Sequence, residues 1–207
     1  MSENKWLVNV WVIRVIRLAI LAVGWSSIVI NLISTADLEV FFSYYTHQSN
    51  LIVLVWVSIA IIFQELKPDQ KFFSGIVRGA ITLYIFITFL VFVTLLETGT
   101  STGIYAYTNF GLHYYLPLAM LVDWILTESH REYKWKYCII WFVYPLFYVS
   151  YVTIRGLLTG SYPYLFLDLD ALGPEGFAMW VGILAGLFVA LGALFVLLNK
   201  LLNKAVK

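Results

Sequence analysis

Six apolar stretches, at 8–33, 48–63, 73–96, 112–126, 137–154 and 177–198, set what this chain can become. A spanning helix needs about 20 mostly apolar residues, because hydrocarbon offers no water to pair with backbone N–H and C=O groups. A globule made of six such runs would have no polar helix faces to turn toward water. Only 12% of the 207 residues are charged and 61% are hydrophobic, against about 25% charge in an ordinary soluble domain. The expected fold is therefore an all-α integral membrane protein, a six-helix transmembrane bundle forming one domain over 1–207. The second and fourth stretches are short and are expected to extend outward through polar residues. The first lacks the short apolar core and clear small-residue cleavage site of a signal peptide and is read as a helix. No internal repeat supports an inverted-repeat transporter.

Cations fix the expected orientation. With the N-terminus inside, Lys5, Arg14, Arg17, Lys67, Lys71, Arg78, Arg131, Lys134, Lys136, Lys200, Lys204 and Lys207 lie at the inner face, and Arg155 alone lies outside. Lys and Arg are retained on the cytoplasmic side of short loops, so this asymmetry predicts an N-in, C-in topology. Asp37, Glu39, Glu97, Asp168, Asp170 and Glu175 then fall on the outer side. A net charge of +1 provides no basic surface for nucleic acid. Cys138, the single cysteine, excludes an intramolecular disulfide and a thiolate metal cluster within one chain. With no sorting motif, a bacterial cytoplasmic membrane is the expected location and a eukaryotic endomembrane the alternative.

Polar residues inside spans are costly and tend to face a bundle interior or a wet cavity. They gather at the outer level. The second span opens with Ser43-Tyr44-Tyr45-Thr46-His47-Gln48-Ser49-Asn50, and helical spacing puts Thr46, Ser49 and Asn50 on one face. Helix capping by Thr46 or Ser49 is the structural alternative to a chemical role. The fourth span opens with Asn109 and His113 as i, i+4 neighbours, at the depth of Thr46; a hydrogen-bonded structural histidine is the alternative there. In the fifth span, Tyr144, Tyr148, Tyr151 and Arg155 form one stripe. Arg155 either binds an anionic head group through its guanidinium fork or pairs with Asp168, Asp170 or Glu97. Asp123 lies about 15 Å deeper than His113 and is read as the ion-pair partner of Arg14, Arg17 or Arg78. His47, His113 and the outer carboxylates have no tight ligand spacing, and His130 falls on the inner side, so no metal site is assigned. The connection 156–176 is partly apolar and rich in Gly and Pro, suited to covering a cavity and unsuited to a regular helix throughout.

Taken in order, Tyr45-Thr46 opening the second span, Asn109-x-Gly111-x-His113 with Pro117 opening the fourth, Tyr162-Pro163 followed by Phe166-Leu167-Asp168, and Gly173-Pro174 before the sixth resemble the androgen-induced and androgen-dependent membrane protein family, especially its small bacterial six-span relatives. The resemblance covers most of the chain. It implies a threonine-dependent membrane hydrolase acting on fatty acid esters of hydroxy fatty acids or related lipids. Thr46 would then be the nucleophile and His113 its base. Ser49 remains a second candidate hydroxyl, and Ser49, Asn50 and Asn109 are candidate oxyanion donors or supports. Arg155, Tyr148 and Tyr151 are candidate substrate contacts. The implied partners are a lipid or fatty acyl ester and the bilayer, with no cofactor and no assigned oligomeric state. Two other classes compete. A carrier would need polar or small residues continuing inward below Thr46, where the sequence reads Leu51-Ile52-Val53-Leu54-Val55. An accessory protein would use the same polar residues only as caps and belts.

Overall fold

The computed structural model describes residues 9–66, 75–97, 99, 101–128 and 132–206. Lys5, Lys67, Lys71, His130, Arg131 and Lys207, which enter the sequence argument, lie outside the described residues. Those described are almost entirely helical and include no strand: α1 (Val10–Thr35), α2 (Leu38–Ser43), α3 (Tyr45–Leu66), α4 (Gly75–Val91), α5 (Gly103–Phe110), α6 (Leu116–Glu128), α7 (Tyr137–Trp141), α8 (Val143–Thr159) and α9 (Leu169–Val206). Two π-helical turns, Phe92–Leu96 and Gly111–Tyr115, extend α4 and join α5 to α6.

Five segments are long and apolar enough to cross a membrane: Val10–Thr35, Tyr45–Phe63, Gly75–Leu96, Tyr137–Thr159 and Leu169–Ala205. The remaining expected stretch, 112–126, lies within α5, its π turn and α6, three pieces each shorter than a span. The outward extension expected for the second stretch is present, since α3 begins at Tyr45. The 156–176 connection is more helical than its composition suggests, because α9 already begins at Leu169. Gly173 breaks that helix with φ 66°, a conformation glycine adopts without steric cost. Pro174 then starts the long segment, where its missing N–H is least damaging.

Apolar exposure agrees with a lipid-facing surface. Leu158, Ile139, Ile33 and Phe147 are each at least 70% exposed, a cost that water would impose and hydrocarbon does not. Inward, α1 buries the stripe Ile13, Arg17, Ile20, Gly24 and Ile28, at the spacing of one helical face. A side chain at Gly24 would collide with Leu54 and Leu116, and one at Gly79 with Trp141 and Tyr133. These glycines set how closely the helices approach.

The end of the bundle where Arg17, Arg78 and Asp123 meet is held by ions. Asp123, fully buried, accepts from Arg17 Nε on Oδ1 at 2.9 Å, and its Oδ2 accepts from both Arg17 Nη2 at 3.4 Å and Arg78 Nη2. Arg78 also donates to Thr127 Oγ1 at 3.0 Å. Trp56 lies beside both guanidiniums, its ring centre 4.0 Å from Arg78 Cζ and 5.2 Å from Arg17 Cζ. The expected Asp123 ion pair is thus shared by two arginines. Alongside it, Glu128 accepts from the Tyr133 hydroxyl at 2.9 Å, and Asn199 accepts from Tyr133 N–H and donates to Glu128 C=O. This network ties α1, α4, α6, the 133 segment and α9 together.

Asp123→Ala should lower stability by about 3–5 kcal/mol, because it leaves two buried guanidiniums uncompensated. Glu132→Gln, which removes an exposed partner 3.6 Å from Lys200, should change it by less than about 1 kcal/mol. Equilibrium unfolding in lipid checks both.

Candidate functional site

The half of the bundle that holds the start of α3 carries a cavity of about 120 Å³ between the start of α3, the end of α4, α8, the 164–167 segment and α9. Its wall is mostly aliphatic and phenyl. Tyr45, Thr46, Thr88, Tyr148 and Tyr164 supply its hydroxyls.

The start of α3 organises those hydroxyls. Its first N–H groups have no intrahelical acceptor, and distant tyrosines serve instead. Tyr45 N–H donates to the Tyr148 hydroxyl at 3.1 Å, and Tyr148 in turn donates to the Ser43 carbonyl at 2.9 Å. Thr46 N–H donates to the Tyr164 hydroxyl at 3.4 Å, which also faces the Thr46 hydroxyl. Burial holds the Tyr164 phenol above its ordinary pKa range, so it stays neutral and keeps a proton to donate. One turn later, the Thr46 carbonyl accepts from Ser49 Oγ at 3.1 Å and Asn50 Nδ2 at 2.8 Å.

His113 enters through a backbone irregularity. Pro117 has no N–H, and in the π turn Leu116 N–H bonds to the Gly111 carbonyl. The Leu112 carbonyl thereby loses both its α-type and π-type backbone donors, and Asn50 Nδ2 supplies the replacement at 3.2 Å. Asn50 thus fastens the turn carrying Thr46 to the residue preceding His113. The His113 ring stacks on Phe92, with centroids 3.9 Å apart, and its Nδ1 lies 3.2 Å from the Asn109 carbonyl. A carbonyl only accepts, so in the neutral ring Nδ1 carries the proton and Nε2 the lone pair.

The structure therefore joins some candidates and separates others. Thr46 lines the cavity, and His113 does not. Asn50 links their two helices, but no hydrogen bond joins Thr46 to His113. Ser49 is buried and shares a 2.8 Å contact with Thr88 Oγ1. Asn109 contributes its backbone carbonyl to His113. Tyr148 lines the cavity, whereas Tyr151 is 39% exposed on the same helix. Arg155 also lies off the cavity, ion-paired with Glu39 at 3.1 Å and donating to the Ser161 carbonyl at 2.7 Å. That replaces the expected pairing with Asp168, Asp170 or Glu97: α2 brings Glu39 to the end of α8. His47 stacks on Phe41 at 4.1 Å, with Nδ1 2.7 Å from the Phe41 carbonyl. Among the described residues no three His, Cys, Asp or Glu side chains gather as metal ligands.

Sequence reasoning did not single out Thr88 or Tyr164 as site residues. Thr88 carried a signal, as a polar residue within an apolar run; Tyr164 is placed by long-range packing alone. Comparisons with protein-family models, curated proteins and solved structures find no match.

Tyr148→Phe should cost about 1–2 kcal/mol of stability, since it strips hydrogen-bond partners from Tyr45 N–H and the Ser43 carbonyl. Tyr151→Phe should stay within about 0.5 kcal/mol of the parent. Denaturant unfolding in lipid distinguishes the two.

Proposed function

We propose that this chain is a membrane-embedded lipid ester hydrolase in which Thr46 is the nucleophile and His113 its base. The observation that carries the proposal is the placement of the buried Thr46 at the hydroxyl-bearing end of an otherwise apolar cavity. Such a site, about 120 Å³ in volume, has apolar room for a few methylenes of an acyl chain next to a hydroxyl group that can face the ester. The sequence resemblance supplies the reaction class.

In the first step Thr46 Oγ1 attacks the ester carbonyl carbon while His113 Nε2 takes its proton. Threonine is a weak nucleophile without such a base. Collapse of the tetrahedral intermediate breaks the bond to the alcohol oxygen, which receives the proton from His113. Water, deprotonated by the same imidazole, then cleaves the acyl-threonine and releases the carboxylic acid. Proton transfer requires the imidazole to close on Thr46 when substrate binds; catalytic hydrogen bonds are often long in the free enzyme. The Tyr164 hydroxyl, already beside Thr46, is the donor best placed for the developing oxyanion. Ser49, engaged with Thr88, is the less available nucleophile.

A carrier fits less well. Buried Val53, Leu54, Val57, Ile81 and Ile85 form apolar layers beneath the outer polar residues, and the Asp123 network closes the inner end. We further propose that Gly103–Glu128 is the sixth crossing. Its continuous helical backbone, about 39 Å long at 1.5 Å per residue, exceeds the hydrocarbon thickness. Six crossings with the cationic termini inside give the N-in, C-in topology, most simply in a bacterial cytoplasmic membrane.

Hydrolysis of fatty acid esters of hydroxy fatty acids by the protein in lipid tests the proposal. Thr46→Ala and His113→Ala should each lower kcat/KM by at least about a hundredfold, and Ser49→Ala by less than about tenfold. Full activity in folded Thr46→Ala would overturn the nucleophile assignment. For topology, reporter fusions should place both termini on the cytoplasmic side, and opposite-side termini would exclude six crossings.

A further inference from the structure

The cavity has a defined floor. α3 and α9 run inward, whereas α4 and α8 run outward, so the lining residues can be ordered by depth. Thr46, Leu96, Tyr164 and Leu167 lie at the outer end, and Ile87, Phe142 and Phe188 at the inner end. Phe142 and Phe188 meet edge to face, with ring centroids 5.5 Å apart and planes at 69°. Behind them the Tyr84 ring lies 6.1 Å from Phe188. Phe188 is buried to 3% exposure, and its rotation is restricted by these rings.

Along α9 the lining runs from Val181 to Phe188, and along α8 from Phe142 to Val149. Each length corresponds to about 10 Å of helix. The Thr46, Tyr148 and Tyr164 hydroxyls stand toward one end, phenyl rings close the other, and Thr88, beside Ile87, is bonded to Ser49 and the Tyr84 carbonyl, which suits a ligand with an oxygenated head and one hydrocarbon tail. Leu146 lines the cavity while 57% exposed, so on that side the cavity wall reaches the apolar outer surface. A tail therefore has a short lateral route from the membrane.

We propose that Phe188 is a specificity-determining residue that stops the acyl chain and limits its length. The inference takes its substrate class from the hydrolase reading, but chain-length selection can be measured by binding alone. A chain that fits gains apolar contact with every added methylene until its end meets the Phe188 ring. The next methylene must displace a packed ring or leave the ester out of register with Thr46. Tight packing makes such overfilling costly, and a pocket commonly discriminates by about tenfold or more per misfitting methylene.

The test is binding of saturated fatty acids of increasing chain length to the full protein in lipid nanodiscs, followed by displacement of a fluorescent fatty acid. Phe188→Ala, which opens the floor toward Tyr84, should move the preferred length upward, with at least about a tenfold gain for longer chains relative to the parent optimum. Ala185→Leu adds bulk to the same wall, needs no core cavity to form, and should move the preference toward shorter chains by a similar factor. Opposite shifts in the two variants support the proposal. Bound fatty acid with an unchanged length preference in both variants overturns it, as does failure of every fatty acid to bind the folded parent protein. Opposite shifts without turnover of any ester would sustain the role of Phe188 and reject the hydrolase reading.

Discussion

The carboxylate of Asp123, shared by Arg17 and Arg78 in the bundle interior, is the interaction on which the rest of this structure depends. Charges taken out of water carry a large desolvation cost, and they persist where geometry and additional hydrogen bonds offset it. Thr127 and the face of Trp56 provide that support. Three helices, α1, α4 and α6, are consequently held at one level, while the neighbouring Glu128, Tyr133 and Asn199 network brings in α9. With that end locked, and apolar layers of Val53, Leu54, Val57, Ile81 and Ile85 next to it, the opposite half of the bundle bears the cavity.

A second constraint follows from membrane backbone chemistry, which leaves little tolerance for an unpaired carbonyl or N–H. Pro117 and Pro145 each interrupt a helix, and each interruption is repaired from another helix. The Leu112 carbonyl receives Asn50, and the Trp141 carbonyl, deprived of the N–H that Pro145 lacks, receives the Tyr84 hydroxyl at 2.9 Å. The free N–H groups opening α3 are likewise satisfied by Tyr148 and Tyr164. The cavity is bounded by several of these repairs. Its hydroxyls are thus both structural caps and groups available to a ligand, and the same tyrosines position Thr46.

The helical character and membrane-spanning hydropathy were legible in the apolar runs, as was the charge pairing of Asp123, because an acid inside an apolar run requires a cation. Thr46, Ser49 and Asn50 were legible as one face because helical spacing is local. The partition of their roles was not. Ser49 turns to Thr88, Asn50 bridges to Leu112, and only Thr46 among the three lines the cavity, all through contacts 39 or more residues away or through packing. Arg155 shows the same limit: its partner Glu39 lies on a six-residue helix between the first two apolar runs, too short to register as an apolar run of its own. The π turn at Gly111–Tyr115 follows from Pro117 only in retrospect, since a proline there is also compatible with a kink or a helix end.

Direct mapping of a covalent adduct tests most plainly the proposal that the Thr46 hydroxyl is activated for acyl transfer. The protein in lipid would be treated with an alkyl fluorophosphonate, digested and sequenced by tandem mass spectrometry. A phosphonyl group is expected on Thr46, forming more slowly in His113→Ala. An adduct confined to Ser49 or another hydroxyl, or folded protein that remains unmodified, would contradict it.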